Sequence, residues 1–239
     1  MNRREHYYPV IGYVSLFAVV WLLSWFLDIA ATFMDADFGV SSLVSSEGVR
    51  WAMRNALPML NNVPWGEIVL FLSALGLLQG AGIIRLLSGM IKGERPTRMQ
   101  TRSLLFSVFA VLIYSTVVYV ATFSQQNILL GVSGTIENSS FISGLPLLLF
   151  LGVLIIALVY GFMYGNYRSA VDVVSSLGNT FSLFRPALIA LIPASAVIAS
   201  VVYTGFFDLI GLTNNEVGII ATVFYAIPFL HIMFEKRKS

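Results

Sequence analysis

Apolar residues gather into six long stretches along this chain, and short polar segments separate them. The stretches cover approximately residues 9–33, 65–84, 104–123, 145–164, 187–206 and 217–234. Each is about 18–25 residues long, which is the length that an α-helix needs to cross about 30 Å of hydrocarbon. The pattern therefore predicts an all-α, polytopic integral membrane protein with about six transmembrane helices in one domain.

Two shorter segments between these stretches each have one apolar face, which is typical of helices that lie along a membrane surface. The first covers residues 46–57, and the second covers residues 168–177, with Gly178 as its predicted stop. Tryptophan is enriched at the boundary between membrane and water. We therefore expect Trp51 and Trp65 to act as interfacial anchors.

The positively charged residues predict how the spans are oriented. The chain has 14 Lys and Arg residues. Twelve of them fall on one side of the predicted spans, namely Arg3, Arg4, Arg85, Lys92, Arg95, Arg98, Arg102, Arg168, Arg185, Lys236, Arg237 and Lys238. The opposite side holds only Arg50 and Arg54. Because cytoplasmic loops carry an excess of Lys and Arg, the sequence predicts that both termini face the cytoplasm.

Composition and motif content argue against several function classes. Charged residues make up 11% of the chain, whereas soluble domains carry about 25%. The net charge of +2 is spread over short loops, so it does not indicate nucleic-acid binding. The chain has no cysteine, and His6 and His231 lie far apart, so we expect no metal site and no cofactor. No phosphate-binding loop or catalytic triad pattern occurs, so we expect no enzyme activity.

Three polar residues are candidates for lining a substrate path, because polar groups inside a bilayer are costly. Asp28 either binds a proton or cation or lies at the membrane interface, and the interface is favoured. Gln79 either lines a path or hydrogen-bonds to a neighbouring helix, and helix packing is favoured. Asn166 follows two glycines at the end of the fourth stretch. These glycines either unwind the helix end and expose its backbone to an ion, or they permit close packing or end the helix.

Two parts of the sequence resemble the aminobenzoyl-glutamate transporter family. The first is the run Ser-Ser-Glu-Gly-Val-Arg-Trp-Ala-Met-Arg-Asn at residues 45–55, continued by Pro-Trp-Gly-Glu and the apolar residues that follow, to residue 84. The second covers residues 147–174, where Tyr160-Gly161 precedes the segment Arg-Ser-Ala-Val-Asp-Val-Val. Members of that family are bacterial secondary transporters linked to uptake of a folate breakdown product and to sulfonamide export.

The resemblance implies a homodimer in the bacterial inner membrane that moves a small organic anion or drug-like amphiphile along an ion gradient. Family members are much longer and hold their substrate in re-entrant hairpins. This chain has no counterpart of those hairpins between residues 84 and 104 or after Gly211, so it resembles a reduced form. The alternative hypothesis is a non-transporting dimeric scaffold or subunit that docks a second membrane protein.

Overall fold

A computed structural model describes residues 7–34, 38–124, 128–130, 136 and 139–238, and it contains no strand in these residues. The helices are α1 (Tyr8–Met34), α2 (Ser46–Asn55), α3 (Trp65–Ala81), α4 (Ile83–Ile91), α5 (Arg98–Phe123), α6 (Ser140–Tyr164), α7 (Ala170–Thr204), α8 (Phe206–Leu209) and α9 (Asn214–Lys238). A 3₁₀ helix, Pro58–Asn62, follows α2. The prediction of an all-α protein is confirmed. Arg3 and Arg4, which contribute to the predicted orientation, lie outside the described residues.

Five helices are long and apolar enough to cross a membrane, namely α1, α5, α6, α7 and α9. The shortest apolar segment among them has 21 residues, which corresponds to about 31 Å at the helical rise of 1.5 Å per residue. α3 and α4 together meet the same criteria, although they are bent by 73° relative to each other. The chain is therefore a polytopic membrane protein, and its described residues contain five such spans, or six if the bent pair is one span.

The second predicted span, residues 65–84, is not one straight helix. α3 ends at Ala81, Gly82 adopts a left-handed conformation with φ +86°, and α4 begins at Ile83. Glycine takes this conformation without the steric cost that a Cβ atom brings. α4 covers the end of this predicted span and part of the segment that connects it to the third predicted span. It forms there because Ile83 and Leu86 are buried in an apolar cluster.

The structure merges two predicted helices, the interfacial helix at residues 168–177 and the span at residues 187–206. Both lie in one helix, α7, which has 35 residues and runs through Gly178, Pro186 and Pro193. Glycine and proline are tolerated inside membrane helices because neighbouring groups satisfy the backbone atoms that they free. The stop signal at Gly178 is therefore overridden.

Contacts divide the chain into two compact units. The terminal unit comprises Met1–Pro64 and Leu183–Ser239, and the central unit comprises Trp65–Ser182. The first part of α7 belongs to the central unit, and the remainder belongs to the terminal unit.

Aromatic stacking and a buried hydroxyl organise the terminal unit. α2 begins after Ser45, whose hydroxyl accepts a 3.0 Å hydrogen bond from the Gly48 N–H. The ring of Trp51 stacks on that of Tyr203, with centroids 4.2 Å apart. The fully buried hydroxyl of Ser24 in α1 accepts a 3.2 Å hydrogen bond from the Leu43 N–H. The chain that leads into α2 is therefore fixed to α1.

In the central unit, α3 and the start of α7 approach each other closely at Gly76, a residue without a side chain. A Cβ atom on Gly76 would collide with the carbonyl oxygen of Ser176 and would lie 3.0 Å from Thr180 Oγ1. Small residues allow such close approach between membrane helices. The neighbouring core contains Leu77, Ala81, Ile83, Leu86, Ala157, Tyr160 and Tyr167.

Replacing Gly76 tests this close approach. We expect Gly76→Ala to lower the free energy of unfolding by about 1–3 kcal/mol, because the added methyl group overpacks the contact. Gly144→Ala in α6 is the matched control, since no atom lies within 4 Å of its added Cβ, and it should be neutral or stabilising. Unfolding in mixed detergent micelles, followed by circular dichroism, compares the two. Equal stability of both variants would contradict the contact.

Candidate functional site

The break between α3 and α4 leaves backbone groups without their helical partners. In a continuous helix the carbonyl oxygen of Ala81 would accept a hydrogen bond from the N–H of Arg85. The left-handed turn at Gly82 removes that bond, and α4 instead starts with the Leu86 N–H donating to the Gly82 carbonyl at 3.0 Å. An unsatisfied carbonyl in hydrocarbon costs several kcal/mol. The break therefore requires a partner from elsewhere in the chain.

The turn that joins α6 to α7 supplies that partner. The side-chain amide of Asn166 donates a 2.5 Å hydrogen bond to the Ala81 carbonyl oxygen. The hydroxyl of the next residue, Tyr167, donates a 2.8 Å hydrogen bond to the Leu77 carbonyl oxygen, one helical turn earlier. Burial raises the pKa of the Tyr167 hydroxyl above its ordinary value, which keeps it protonated as a donor. Two adjacent side chains thus hold the end of α3.

Glycines make this turn possible. α6 ends at Gly165, which has φ +90°, and the N–H groups of Gly165 and Tyr167 both donate 3.0 Å hydrogen bonds to the carbonyl of Gly161. Gly161 itself lies so close to the Tyr167 ring that a Cβ atom there would collide with it. The two glycines therefore direct Asn166 and Tyr167 onto α3.

A polar cavity of about 160 Å³ lies beside the break, and we call it the corner cavity. It lies where α4, the connector after it, the start of α5 and the end of α6 meet. Its polar lining residues are Arg85, Glu94, Arg95, Gln100, Tyr164 and Asn166. Gly82 also borders it, so the corner cavity and the break form one site.

Local folding signals place these side chains. α4 ends with the Gly93 N–H donating to the Met90 carbonyl at 3.0 Å, in the glycine-ended pattern common at helix C-termini. α5 begins with a capping box, in which the backbone N–H of Thr97 donates to Gln100 Oε1 at 2.8 Å and the backbone N–H of Gln100 donates to the Thr97 hydroxyl. The same Gln100 side chain makes a long, 3.5 Å contact to the Tyr164 hydroxyl. The connector is therefore tied to α6.

The corner cavity carries a positive charge. Arg85 and Arg95 contribute two cations, and Glu94 contributes one carboxylate. Within the described residues neither guanidinium forms an ion pair. Arginine presents a planar fork of donors that matches carboxylate and phosphate groups. The site can therefore bind an anion.

The structure brings one of the predicted substrate-path residues, Asn166, to this corner. Asn166 borders the cavity and holds the break. Gln79 lies one turn before the break, and its carbonyl accepts a 3.1 Å hydrogen bond from the Gly82 N–H, but its side chain is exposed. Asp28 lies in the terminal unit, exposed on α1. Trp51 packs on an aromatic ring, and Trp65 begins α3.

Sequence analysis does not identify Arg85, Arg95 and Tyr167 as site residues. The two arginines read as orientation signals, and Tyr167 falls between the fourth predicted span and the second predicted interfacial helix. The one local sign of the break is Gly82, which follows the polar Gln79. Nothing in the local sequence connects that segment with a side chain 85 residues away.

Comparisons with known proteins do not identify the chain. No protein-family model, no curated protein and no solved structure matches it. Among the residues that the structure describes, no group of three or more His, Cys, Asp or Glu side chains is placed to hold a metal ion. The function is therefore argued from the break and the corner cavity.

Substituting Asn166 tests its role at the break. Asn166→Ala is expected to lower the free energy of unfolding by about 1–3 kcal/mol, because the Ala81 carbonyl loses its partner. Asn166→Asp should be at least as damaging, since a carboxylate repels the carbonyl oxygen. Asn179→Ala is the matched control, because Asn179 is an exposed asparagine on α7. If the Asn166 and Asn179 alanine variants unfold at the same denaturant concentration, Asn166 does not hold the break.

Proposed function

We propose that the chain is a secondary transporter of the bacterial inner membrane that moves a small organic anion or drug-like amphiphile along an ion gradient. The observation that carries this proposal is the broken helix pair α3–α4, whose break borders a polar, positively charged cavity. Many secondary transporters bind their substrates at discontinuous helices, where backbone groups are not consumed by the helix itself.

The hydrogen bonds at the break are compatible with a change in the angle between α3 and α4. A continuous helix would hold the Ala81 carbonyl by its own backbone, whereas here one side-chain amide holds it. A single hydrogen bond of this kind contributes about 0.5–1.5 kcal/mol net. A solute that offers its own donor can replace Asn166 at little cost, so that α4 is free to change its angle to α3.

The charge of the corner cavity supports an anionic solute. Arg85 and Arg95 outnumber the single carboxylate of Glu94. A cleft of one sign with low-dielectric walls concentrates ions of the opposite sign. In this proposal the cavity, which Asn166 borders, is the cytoplasmic mouth of the path. Gln79, exposed on α3 one turn before the break, lines the path beyond the cavity.

The resemblance to aminobenzoyl-glutamate transporters supports the same class of function. It suggests a homodimer and suggests aminobenzoyl-glutamate-like anions as the first solutes to try. The substrate-holding hairpins of that family have no counterpart here, so in this proposal the broken helix pair takes over part of their role.

One observation favours the scaffold alternative. The amide of Gln79 is exposed on α3, and it hydrogen-bonds to no side chain or backbone group in the described residues. An amide that faces lipid without a partner is unfavourable. A second membrane subunit with a polar group at this height would satisfy it. In that case Gln79 marks an assembly surface and not a path.

Substituting Gln79 separates the two functions. We expect Gln79→Leu to reduce uptake of aminobenzoyl-glutamate into proteoliposomes by about tenfold or more, because loss of one solute hydrogen bond is worth about 1.4 kcal/mol. Thr116→Val is the control, since Thr116 is also exposed and bonds only its own helix α5. Normal flux in Gln79→Leu would exclude the path role. Absent flux in the wild type, with loss of a partner subunit in the variant, would favour the scaffold.

Cysteine labelling tests the proposed orientation, because the natural chain has no cysteine. Lys92→Cys and Arg54→Cys place single thiols at exposed positions on opposite predicted sides. A membrane-impermeant maleimide added to intact cells whose outer membrane is permeabilised should label Arg54→Cys. Lys92→Cys should react only after the inner membrane is opened. The reverse pattern would place both termini outside the cytoplasm.

A further inference from the structure

The corner cavity is too small to hold a whole drug-sized solute. Its volume is about 160 Å³, whereas pockets for drug-sized ligands have about 300–1,000 Å³. A compact charged group fits this volume, and the remainder of such a ligand would have to lie outside. The surface next to the cavity therefore decides what kind of molecule binds.

That surface is the outer side of α4. Met90 lines the cavity, and Leu87 and Ile91 lie next to it along the helix surface; all three are exposed, Ile91 to 87%. Arg85 and Lys92, seven residues apart, lie on a different, polar face. A helix with one apolar and one basic face is typical of elements that lie in the membrane interface. The apolar side of α4 is therefore suited to contact acyl chains.

The polar lining of the cavity favours a phosphate group over a single carboxylate. Arg85 and Arg95 both line this small volume, and neither is neutralised by an ion pair within the described residues. Glu94 is the one carboxylate in the lining and repels an anion. The attraction of the bound group to the two arginines must therefore exceed this repulsion. The monoester phosphate of a lipid such as phosphatidate offers three non-bridging oxygens to two guanidinium forks, whereas a carboxylate offers two oxygens.

We propose that the corner cavity binds the monoester phosphate group of an anionic membrane lipid, whose acyl chains lie along Met90, Leu87 and Ile91. Basic pockets between membrane helices on the cytoplasmic side commonly bind such headgroups. The inference goes beyond the proposed function, because it assigns an anionic lipid to the corner cavity whether or not a solute is transported. Free phosphate shares the same chemistry, and the experiment must separate the two sources.

Native mass spectrometry of the full chain in detergent, titrated with phosphatidate, tests the proposal. We expect saturable binding of phosphatidate and none of phosphatidylcholine at the same concentration. Arg85→Gln and Arg95→Gln should each weaken binding by about tenfold, as expected for loss of one charge-assisted contact. Both arginines are exposed, so the glutamine variants should keep the wild-type melting temperature.

Arg98→Gln is the matched control, because Arg98 lies near the cavity in sequence but does not line it. It should change the affinity by less than about twofold, as is usual for a screened surface charge. Equal losses in Arg98→Gln and Arg95→Gln would overturn the proposal in favour of diffuse surface attraction. If inorganic phosphate displaces phosphatidate at equal concentration, the cavity recognises phosphate alone, and the proposal that it binds a lipid is overturned.

Binding is read without flux, so the two proposals fail separately. Unchanged aminobenzoyl-glutamate uptake together with no phosphatidate binding would overturn this inference alone. Arginine-dependent phosphatidate binding supports it, even if no solute is transported, and in that case the transport proposal fails.

Discussion

Every backbone carbonyl inside a bilayer must find its hydrogen bond within the protein, and this constraint governs the central unit. The turn at Gly82 breaks the helical bond of Ala81, and the amide of Asn166 restores it. Because Asn166 comes from the turn between α6 and α7, one hydrogen bond ties the end of α3 to a turn 85 residues away. The 73° bend of α4 and the corner cavity beside it both depend on that repair.

Close packing supports the repair. Gly161 lets the Tyr167 ring approach α6, and Gly76 lets α7 approach α3. These contacts position the turn so that Tyr167 and Asn166 reach carbonyls one helical turn apart. The result is a break at which the Ala81 carbonyl is held by a side chain rather than by a backbone bond. Side-chain hydrogen bonds exchange with solute or solvent more readily than a helical ladder does, which is why we connect the break with transport.

Hydropathy was sufficient to predict the all-α membrane fold, because the length of an apolar stretch directly reflects bilayer thickness. It could not predict the break, since Ile83 and Ile84 continue the apolar run of α3 although the chain turns between them and Ala81. Gly178 looks like a helix stop because glycine ends many soluble helices, but α7 continues through it. The partnership of Asn166 with Ala81 spans 85 residues and has no local signal. From the sequence alone, Asn166 is recognised as a polar residue near a helix end, but its partner, the Ala81 carbonyl, is not.

Amide hydrogen exchange in the native protein, resolved by peptide mass spectrometry in detergent or nanodiscs, tests the break most directly. The amides of residues 83–85 start α4 and would be bonded to residues 79–81 only if the helix were continuous. Our account predicts that they exchange much faster than the amides of residues 74–78 in α3, and that Asn166→Ala speeds their exchange further. Equal, strong protection across residues 74–88, unchanged by Asn166→Ala, would show one continuous helix and would contradict the account.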